Sequence, residues 1–260
     1  MGERYVVKNM NAFVKTTNGK FPNPNFCWAW KGLTELQYNV ITFEDYDLKD
    51  PSFWMSCNRT TPVFAGVVVF DEILEKLGVE YNKIDTYPTI LRPYMNRYIE
   101  KTTLGEYRKV WDKDEDNRPL MFMKPLKQKQ FNGKIMKSII DWIGLTKYDD
   151  NTEVYISEPV DFLTEYRIYI RDGRLLLGRN YRGDWTKGID INIVKDAIKT
   201  FGDEAPCAYA LDFGLTEDGK TSLVEFNDAT SLGNYGLDAV NFADMITSRW
   251  NEICNRTDKL

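Results

Sequence analysis

Along this chain the apolar positions alternate in short runs broken by glycine and proline, and in a few longer stretches they recur at helical spacing. Tyr5-Val6-Val7 reads as a short strand, Asn25 to Gln37 as a helix and Asn39 to Phe43 as the next strand. Between Gly66 and Leu77 the apolar residues Val69, Ile73 and Leu77 fit a helix, and Gly78 supplies its stop. Tyr87-Pro88 closes this first α/β region, and a helix rich in Arg and Tyr is expected from Leu91 to Lys101.

The rest of the chain is richer in strands. Leu120 to Lys124 reads as a strand stopped by Pro125, and Glu153 to Ser157 as another stopped by Pro159. Tyr166 to Ile170 and Leu175 to Gly178 flank Asp172-Gly173, a strong two-residue hairpin pattern. Asp190 caps a helix whose Ile191, Val194, Ala197, Ile198 and Phe201 form one stripe, ended by Gly202. Cys207 to Phe213 and Thr221 to Asn227 are strands around a second turn, Asp218-Gly219, and a last helix over Leu237 to Trp250 turns Val240, Ala243, Ile246 and Trp250 inward. The segment Gly133 to Leu145 fits neither period.

If Asp218-Gly219 is a two-residue loop, counting back along the strands places Asp212 directly opposite Glu225. Opposed side chains share a face, and the period of two adds Asn227 to it. Two carboxylates so placed repel each other, and a divalent cation held by Asp, Glu and Asn oxygens would turn repulsion into coordination. The plainer reading is an acidic edge strand facing solvent. The small, polar loop Asp228 to Gly236 either brings amides and hydroxyls to an anion or simply leads into the last helix.

Cationic residues punctuate the earlier strands. Lys124 ends an apolar strand, where burying an ammonium without an anion is costly. Lys129 lies in Lys129-Gln130-Phe131-Asn132-Gly133, which reads as a lid over a phosphate or as solvated surface. Arg167 shares a strand face with Glu165 and Tyr169 and suits either phosphate oxygens or a cross-strand ion pair.

Composition narrows the chemistry. The 260 residues contain no histidine, which removes imidazole acid–base catalysis, Ser-His-Asp triads and most transition-metal sites, and leaves hard oxygen ligands that suit magnesium. A net charge of −5 argues against a general grip on nucleic acid, leaving room only for a local basic groove. The four cysteines are far apart without a CxxC pair, so a reducing cytoplasm is expected. No apolar stretch has the length of a signal-peptide core or a membrane span. Neither a Walker A sequence nor a strand-linked GxGxxG is present, so any nucleotide must be held by side-chain cations and metal. A chain of this length sits near the size at which single cores divide, and two or three closely packed lobes are expected.

In order and spacing these motifs resemble the ATP-grasp superfamily. Phe122-Met123-Lys124-Pro125 resembles its strand lysine, Ser157-Glu158-Pro159-Val160 its segment along the adenine, Glu165-Tyr166-Arg167 its acid-x-Arg strand, and Asp212 with Glu225-Phe226-Asn227 its metal-binding acid followed by Glu-x-Asn. Lys129 to Gly133 and Ser231 to Gly236 narrow the likeness to the clade named for one arginine and two lysines, found among phages and bacteria. The resemblance covers roughly Pro62 to the C-terminus. It implies an α+β fold holding a nucleotide between two α+β lobes, with a small α/β lobe over residues 1–88, the grasp domain over 89–260 and a hinge near 157–161. It further implies that Lys124, Lys129 and Arg167 contact ATP phosphates, with Lys129 and Arg167 catalytic. Glu158 and Val160 would lie near adenine, Glu165 would belong to the nucleotide site, and Asp212, Glu225 and Asn227 would hold Mg2+. Ser231, Asn234 and Tyr235 would meet substrate.

The function this implies is a carboxylate–amine ligase that works through an acyl phosphate and releases ADP. Its partners would be ATP and a carboxylate and an amine from an amino acid, peptide or protein terminus, with no membrane. The alternative is an RNA end ligase or kinase on the same nucleotide site, encouraged by the basic, aromatic stretch around Arg92, Arg97 and Arg108. A third possibility is a nucleotide-binding protein without turnover.

Overall fold

A computed structural model of the chain describes residues 10–113, 120–127 and 130–256. The expected strand at Tyr5–Val7 and Lys129, read as a lid or a solvated surface lysine, lie outside the described residues. By their contacts the residues form two units, one joining the chain up to Tyr94 with the chain from Leu163 onward, the other Met95–Phe162.

The larger unit starts with β1 (Asn11–Lys15), α1 (Pro24–Glu35), β2 (Asn39–Phe43), α2 (Pro51–Ser56), β3 (Val63–Phe64) and α3 (Val67–Lys76). Asn23 caps α1 by accepting from Asn25 N, and Pro24 begins the helix, where its missing N–H costs nothing. The strands form a parallel sheet in the order β2-β1-β3. The α3 stripe is rotated from the one expected, with Phe70, Ile73 and Leu74 buried and Val69 and Leu77 only half-buried.

The smaller unit contains β4 (Ile99–Thr103), α4 (Leu104–Lys113), β5 (Met121–Pro125), β6 (Lys134–Met136) and β7 (Glu153–Ser157), with the strands in the antiparallel order β4-β7-β5-β6. The helix expected over Leu91–Lys101 is absent. Pro93 sits in a 3₁₀ turn over Thr89–Tyr94, and Ile99 to Thr103 instead pair with β7. The residue before a proline is turned away from α geometry, and β-branched residues fit a pleated surface better than a helix. The segment of unclear period becomes β6 and a 3₁₀ turn over Ile139–Trp142. One face of this sheet packs Met121, Met123, Val154 and Ile156 against Leu104, Tyr107, Trp111 and Trp142.

The larger unit resumes with β8 (Phe162–Arg171), β9 (Arg174–Gly183), α5 (Ile191–Phe201), β10 (Ala208–Thr216), β11 (Thr221–Asp228) and α6 (Ala239–Arg256). These strands lie in the order β11-β10-β8-β9. Helix α6 serves two cores. Its Phe242, Ala243 and Ile246 join Ala12 and Val14 of β1, Leu33 of α1, and Tyr169 and Ala210 of the second sheet. Its Trp250, Ile253 and Cys254 join Phe13, Phe43, Phe53, Phe70 and Ile73. Val240, expected inward, is 37% exposed because the inward stripe of α6 is turned from the one expected, with its neighbours Ala239 and Phe242 buried instead beside Ala243. At Gly32 the contact of α1 with α6 is so close that a Cβ would lie 1.8 Å from the Ala239 carbonyl oxygen.

Candidate nucleotide and metal site

Two hairpins build a charged patch on one face of the β11-β10-β8-β9 sheet. The first turns at Asp172 and Gly173, with φ of 49° and 71°, the two left-handed residues of a type I′ turn. Alternation along β8 sends Glu165, Arg167 and Tyr169 to the same face. Along β9 the ladder slips twice, once between Glu165 and Tyr166, so that both Tyr181 and Arg182 face Glu165. Tyr181 Oη donates to Glu165 Oε2 at 2.7 Å, and Arg182 Nη1 donates to Oε1 at 2.7 Å.

The second hairpin pairs Asp212 with Glu225, as the sequence count expects, but by another route. Its loop has three residues, with Thr216 N donating to the Lys220 carbonyl and Gly219, at φ 80°, donating to the Thr216 carbonyl. Uncorrected, that loop would set Asp212 against Val224. A bulge between Asp212 and Phe213 takes up Val224 and restores the Asp212–Glu225 pair. Asn227 lies opposite Ala210, one pair further along this face, and its amide donates to Asp212 Oδ2 at 3.3 Å.

Arg167 crosses from β8 to Asp212 as a bidentate pair, Nε to Oδ1 at 2.8 Å and Nη2 to Oδ2 at 2.7 Å. Both groups are nearly sealed from water, 6% and 1% exposed. Burial, then the acidic neighbours Glu225 and Glu165, push the Asp212 carboxyl above the usual carboxylate range against the pull of Arg167. Burial alone would weaken the Arg167 charge, and Asp212 more than restores it. Burial, with Asp212 and Glu165, holds the Tyr181 phenol protonated well above its ordinary range.

The loop after β11 closes over this patch. Tyr235 stacks on Tyr181 with ring centroids 4.8 Å apart and 12° between planes, and the Arg167 guanidinium sits 4.8 Å from the Tyr235 centroid. Arg167 Nη1 and Tyr169 Oη both donate to the Gly233 carbonyl, and Tyr235 N donates to Tyr169 Oη at 2.7 Å. The Asn234 side chain is committed to its own loop, accepting from Gly236 N and Leu237 N and donating to the Leu237 carbonyl, while Asn234 N donates to Asn25 of α1. Ser231 ends a 3₁₀ turn capped by Asp228. Arg249 of α6, 2% exposed, grips Asp228 through two bonds of 2.9 and 2.7 Å and Glu252 through a third, anchoring the start of the loop.

Thus Glu165, Arg167, Asp212, Glu225, Asn227 and Tyr235 are brought together, with Asn234 shaping the loop over them. Lys124, Glu158 and Val160 belong to the smaller unit. There Lys124 is half-buried and pairs across the sheet with Tyr155, and Gly133 lies against Phe122 and Lys124, where a Cβ would come 2.5 Å from the Phe122 ring. Glu158 continues that sheet: its N donates to the Tyr98 carbonyl and its Oε2 accepts from Tyr98 N. Sequence reasoning missed Tyr181, Arg182 and the Arg249–Asp228 clamp. Bulges hide the first two. The clamp joins residues with no shared element and no periodic trace.

The donor set suits a hard cation. Two carboxylates and one amide supply oxygen ligands, and a carboxylate has more lone-pair directions than Arg167 occupies. Among the described residues no group of three acidic, Cys or His side chains could hold a metal. A few protein oxygens suffice for magnesium, which keeps waters and substrate phosphates in its shell instead of demanding an all-protein cage.

Residues 94–245 match the model of an ATP-grasp domain family, family 2 of the clade named for one arginine and two lysines. No curated protein matches the sequence. Among solved structures the chain is similar to D-alanine–D-alanine ligase from Bacillus anthracis, at TM-score 0.61 and 14% identity, covering 96% of this chain and 99% of that one. It is also similar to N5-carboxyaminoimidazole synthetase from Staphylococcus aureus, at TM-score 0.60 and 8% identity over 96% and 80% of the two chains. A third is the ATP-grasp ligase PsnB complexed with precursor peptide PsnA2 and AMPPNP, at TM-score 0.56 and 10% identity over 96% and 100%. No helix among the described residues is long and apolar enough to cross a membrane.

Proposed function

The chain belongs to the ATP-grasp domains, in family 2 of the one-arginine, two-lysine clade, and on that premise we propose that it is an ATP- and magnesium-dependent ligase joining a carboxylate to an amine. A substrate carboxylate oxygen attacks the γ-phosphorus, the bond to ADP breaks, and an acyl phosphate results. The amine nitrogen then attacks the acyl carbon, phosphate leaves and the amine gives up a proton. Family membership supports the use of ATP, and the named relatives support the choice of carboxylate and amine.

The observation that carries the reading is the convergence of Arg167, Asp212, Glu225 and Asn227 on one sheet face. In it Asp212, Glu225 and Asn227 would hold Mg2+, which when bound offsets phosphate charge. Arg167, kept charged by Asp212, presents a guanidinium to phosphate oxygens as the catalytic cation together with Lys129. On the smaller unit Lys124 takes phosphate, and the chain around Glu158 and Val160 takes adenine. Glu165 holds Tyr181 and Arg182 in place within the nucleotide site. Ser231 and Tyr235 meet substrate, with Asn234 shaping their loop. The domain division proposed with this reading is a preceding lobe over 1–88 and a grasp domain over 89–260, hinged near 157–161. A chain without histidine needs no side-chain nucleophile for this chemistry, because positioning and charge neutralisation supply the rate.

The test is incubation of the protein with ATP, magnesium and pooled amino acids and peptides. ADP and phosphate appearing in step with a new amide are expected. AMP and pyrophosphate as the sole products would overturn the acyl-phosphate route.

A further inference from the structure

Three arginines stand on the charged face: Arg167 on β8, and Arg179 and Arg182 on β9. Arg167 is matched by Asp212 and Arg182 by Glu165. Arg179 is directly opposite Arg167 in the ladder, so two like charges face each other, an arrangement unfavourable by itself. Among the described residues the Arg179 side chain has neither a carboxylate partner nor a hydrogen bond. The patch therefore balances two of its guanidinium groups internally and leaves the third exposed and unmatched.

The loop over the patch is cut to fit both facing arginines. A Cβ at Gly233 would lie 3.1 Å from Arg167 Nη1, and a Cβ at Gly236 would lie 3.3 Å from Arg179 Nε. Gly236 also has φ of 123°, a conformation a side chain resists. The same short loop thus has glycine at each point where an arginine crosses it. Between these points lies Tyr235, 44% exposed and held against Tyr181. An exposed guanidinium, supported along its stem by backbone and next to an exposed aromatic ring, is a receptor for a planar anion.

We infer that Arg179 binds a substrate carboxylate that does not react, so that the ligase takes an acid with a second carboxylate beside the one it activates. This rests on the ligase reading above. A carboxylate clamped by a guanidinium has its lone pairs engaged in hydrogen bonds and makes a poor nucleophile toward phosphorus. The group on Arg179 is therefore the handle of the substrate and a different carboxylate is the attacking one. Dicarboxylates, acidic amino acids and peptides with acidic side chains have this form, whereas simple monocarboxylates lack the handle.

Two measurements test it on the full chain. In the first, ADP release from ATP and magnesium is followed with α,ω-dicarboxylates from succinate to adipate and with monocarboxylates of equal length. The wild type is expected to respond to one or more dicarboxylates at far lower concentration than to any monocarboxylate. Arg179→Gln is expected to raise KM for those dicarboxylates roughly 10–100-fold with kcat little changed, and Arg179→Lys to recover part of it. In the second, glutarate is titrated calorimetrically into protein holding magnesium and AMPPNP, and Arg179→Gln should weaken binding by a similar factor. Because Arg179 has no partner within the described residues, the Gln variant should keep the wild-type urea midpoint. Dicarboxylates no better than monocarboxylates, or equal glutarate affinity in both proteins, would overturn the inference while ADP release stands. If no acid drives ADP release but glutarate binding still depends on Arg179, the ligase reading falls and the anion receptor remains.

Discussion

Asp212 shows how much a single side chain supports. Asp212→Ala leaves the Arg167 guanidinium buried with its two charge-assisted hydrogen bonds gone, and a broken buried pair costs about 3–5 kcal/mol. The urea midpoint should fall accordingly, and a double change with Arg167→Met should recover part of the loss by removing the stranded charge. A purely superficial pair would show no such recovery. Cysteines give a second, independent test. Burial pushes the Cys57, Cys207 and Cys254 thiols up to about 12, while Cys27 is exposed. A thiol reagent at pH 8 should therefore titrate Cys27 alone in the native protein and all four in urea. The sign for stability follows from the raised values: these thiols stabilise the fold below pH ~9, and that contribution is lost as pH rises toward 12. Denaturation midpoints measured across that range should decline, and a flat profile would contradict the burial argument. At this scale strand alternation made the shared face of Asp212, Glu225 and Asn227 legible, although a three-residue loop and a bulge, not the expected two-residue turn, set Asp212 against Glu225. Tyr181 and Arg182 were not legible. A regular ladder counted from Asp172-Gly173 pairs Glu165 with Asn180, and only the bulges make it Arg182.

Glycines mark where elements meet most tightly, and they separate packing from conformation. Gly32→Ala would drive a Cβ into the Ala239 carbonyl where α1 meets α6, and overpacking of this kind costs about 1–3 kcal/mol or more. Gly188→Ala meets nothing within 4 Å and lacks a left-handed φ, so it should be neutral or mildly stabilising. Melting temperatures of the two variants provide the comparison, and a similar drop in both would show that Gly32 is not a packing site. Elements with one strong period were read correctly, as with the Asp172-Gly173 hairpin and the Asp190-capped α5, whose stripe holds except for the exposed Ile191. The segment around Pro93 was not, because Arg and Tyr suit several conformations while pairing with β7 decided the outcome. Strand β1 and helix α4 also escaped notice. Each is short, and each is fixed by what it packs against more than by its own pattern.

At the scale of the whole molecule, the chain leaves the larger unit after Tyr94 and returns to it at Leu163. The order and spacing of the motifs carried the resemblance to the fold family that the domain match bears out, while charge and the lack of histidine only narrowed the chemistry. That the first strands share their cores with the last helix was not visible, since no local pattern records a partner so distant along the chain. Truncation after Gly236 removes Phe242, Ile246 and Trp250 from those cores and should abolish cooperative unfolding of the larger unit by calorimetry. Residues 95–162 complete their own core from neighbours in sequence. On the ribosome the middle of the protein can therefore fold as it emerges, while Phe13, Phe43 and Phe70 wait uncovered until α6 has been made. That interval, set by the speed of elongation, is when a newborn copy most needs a chaperone.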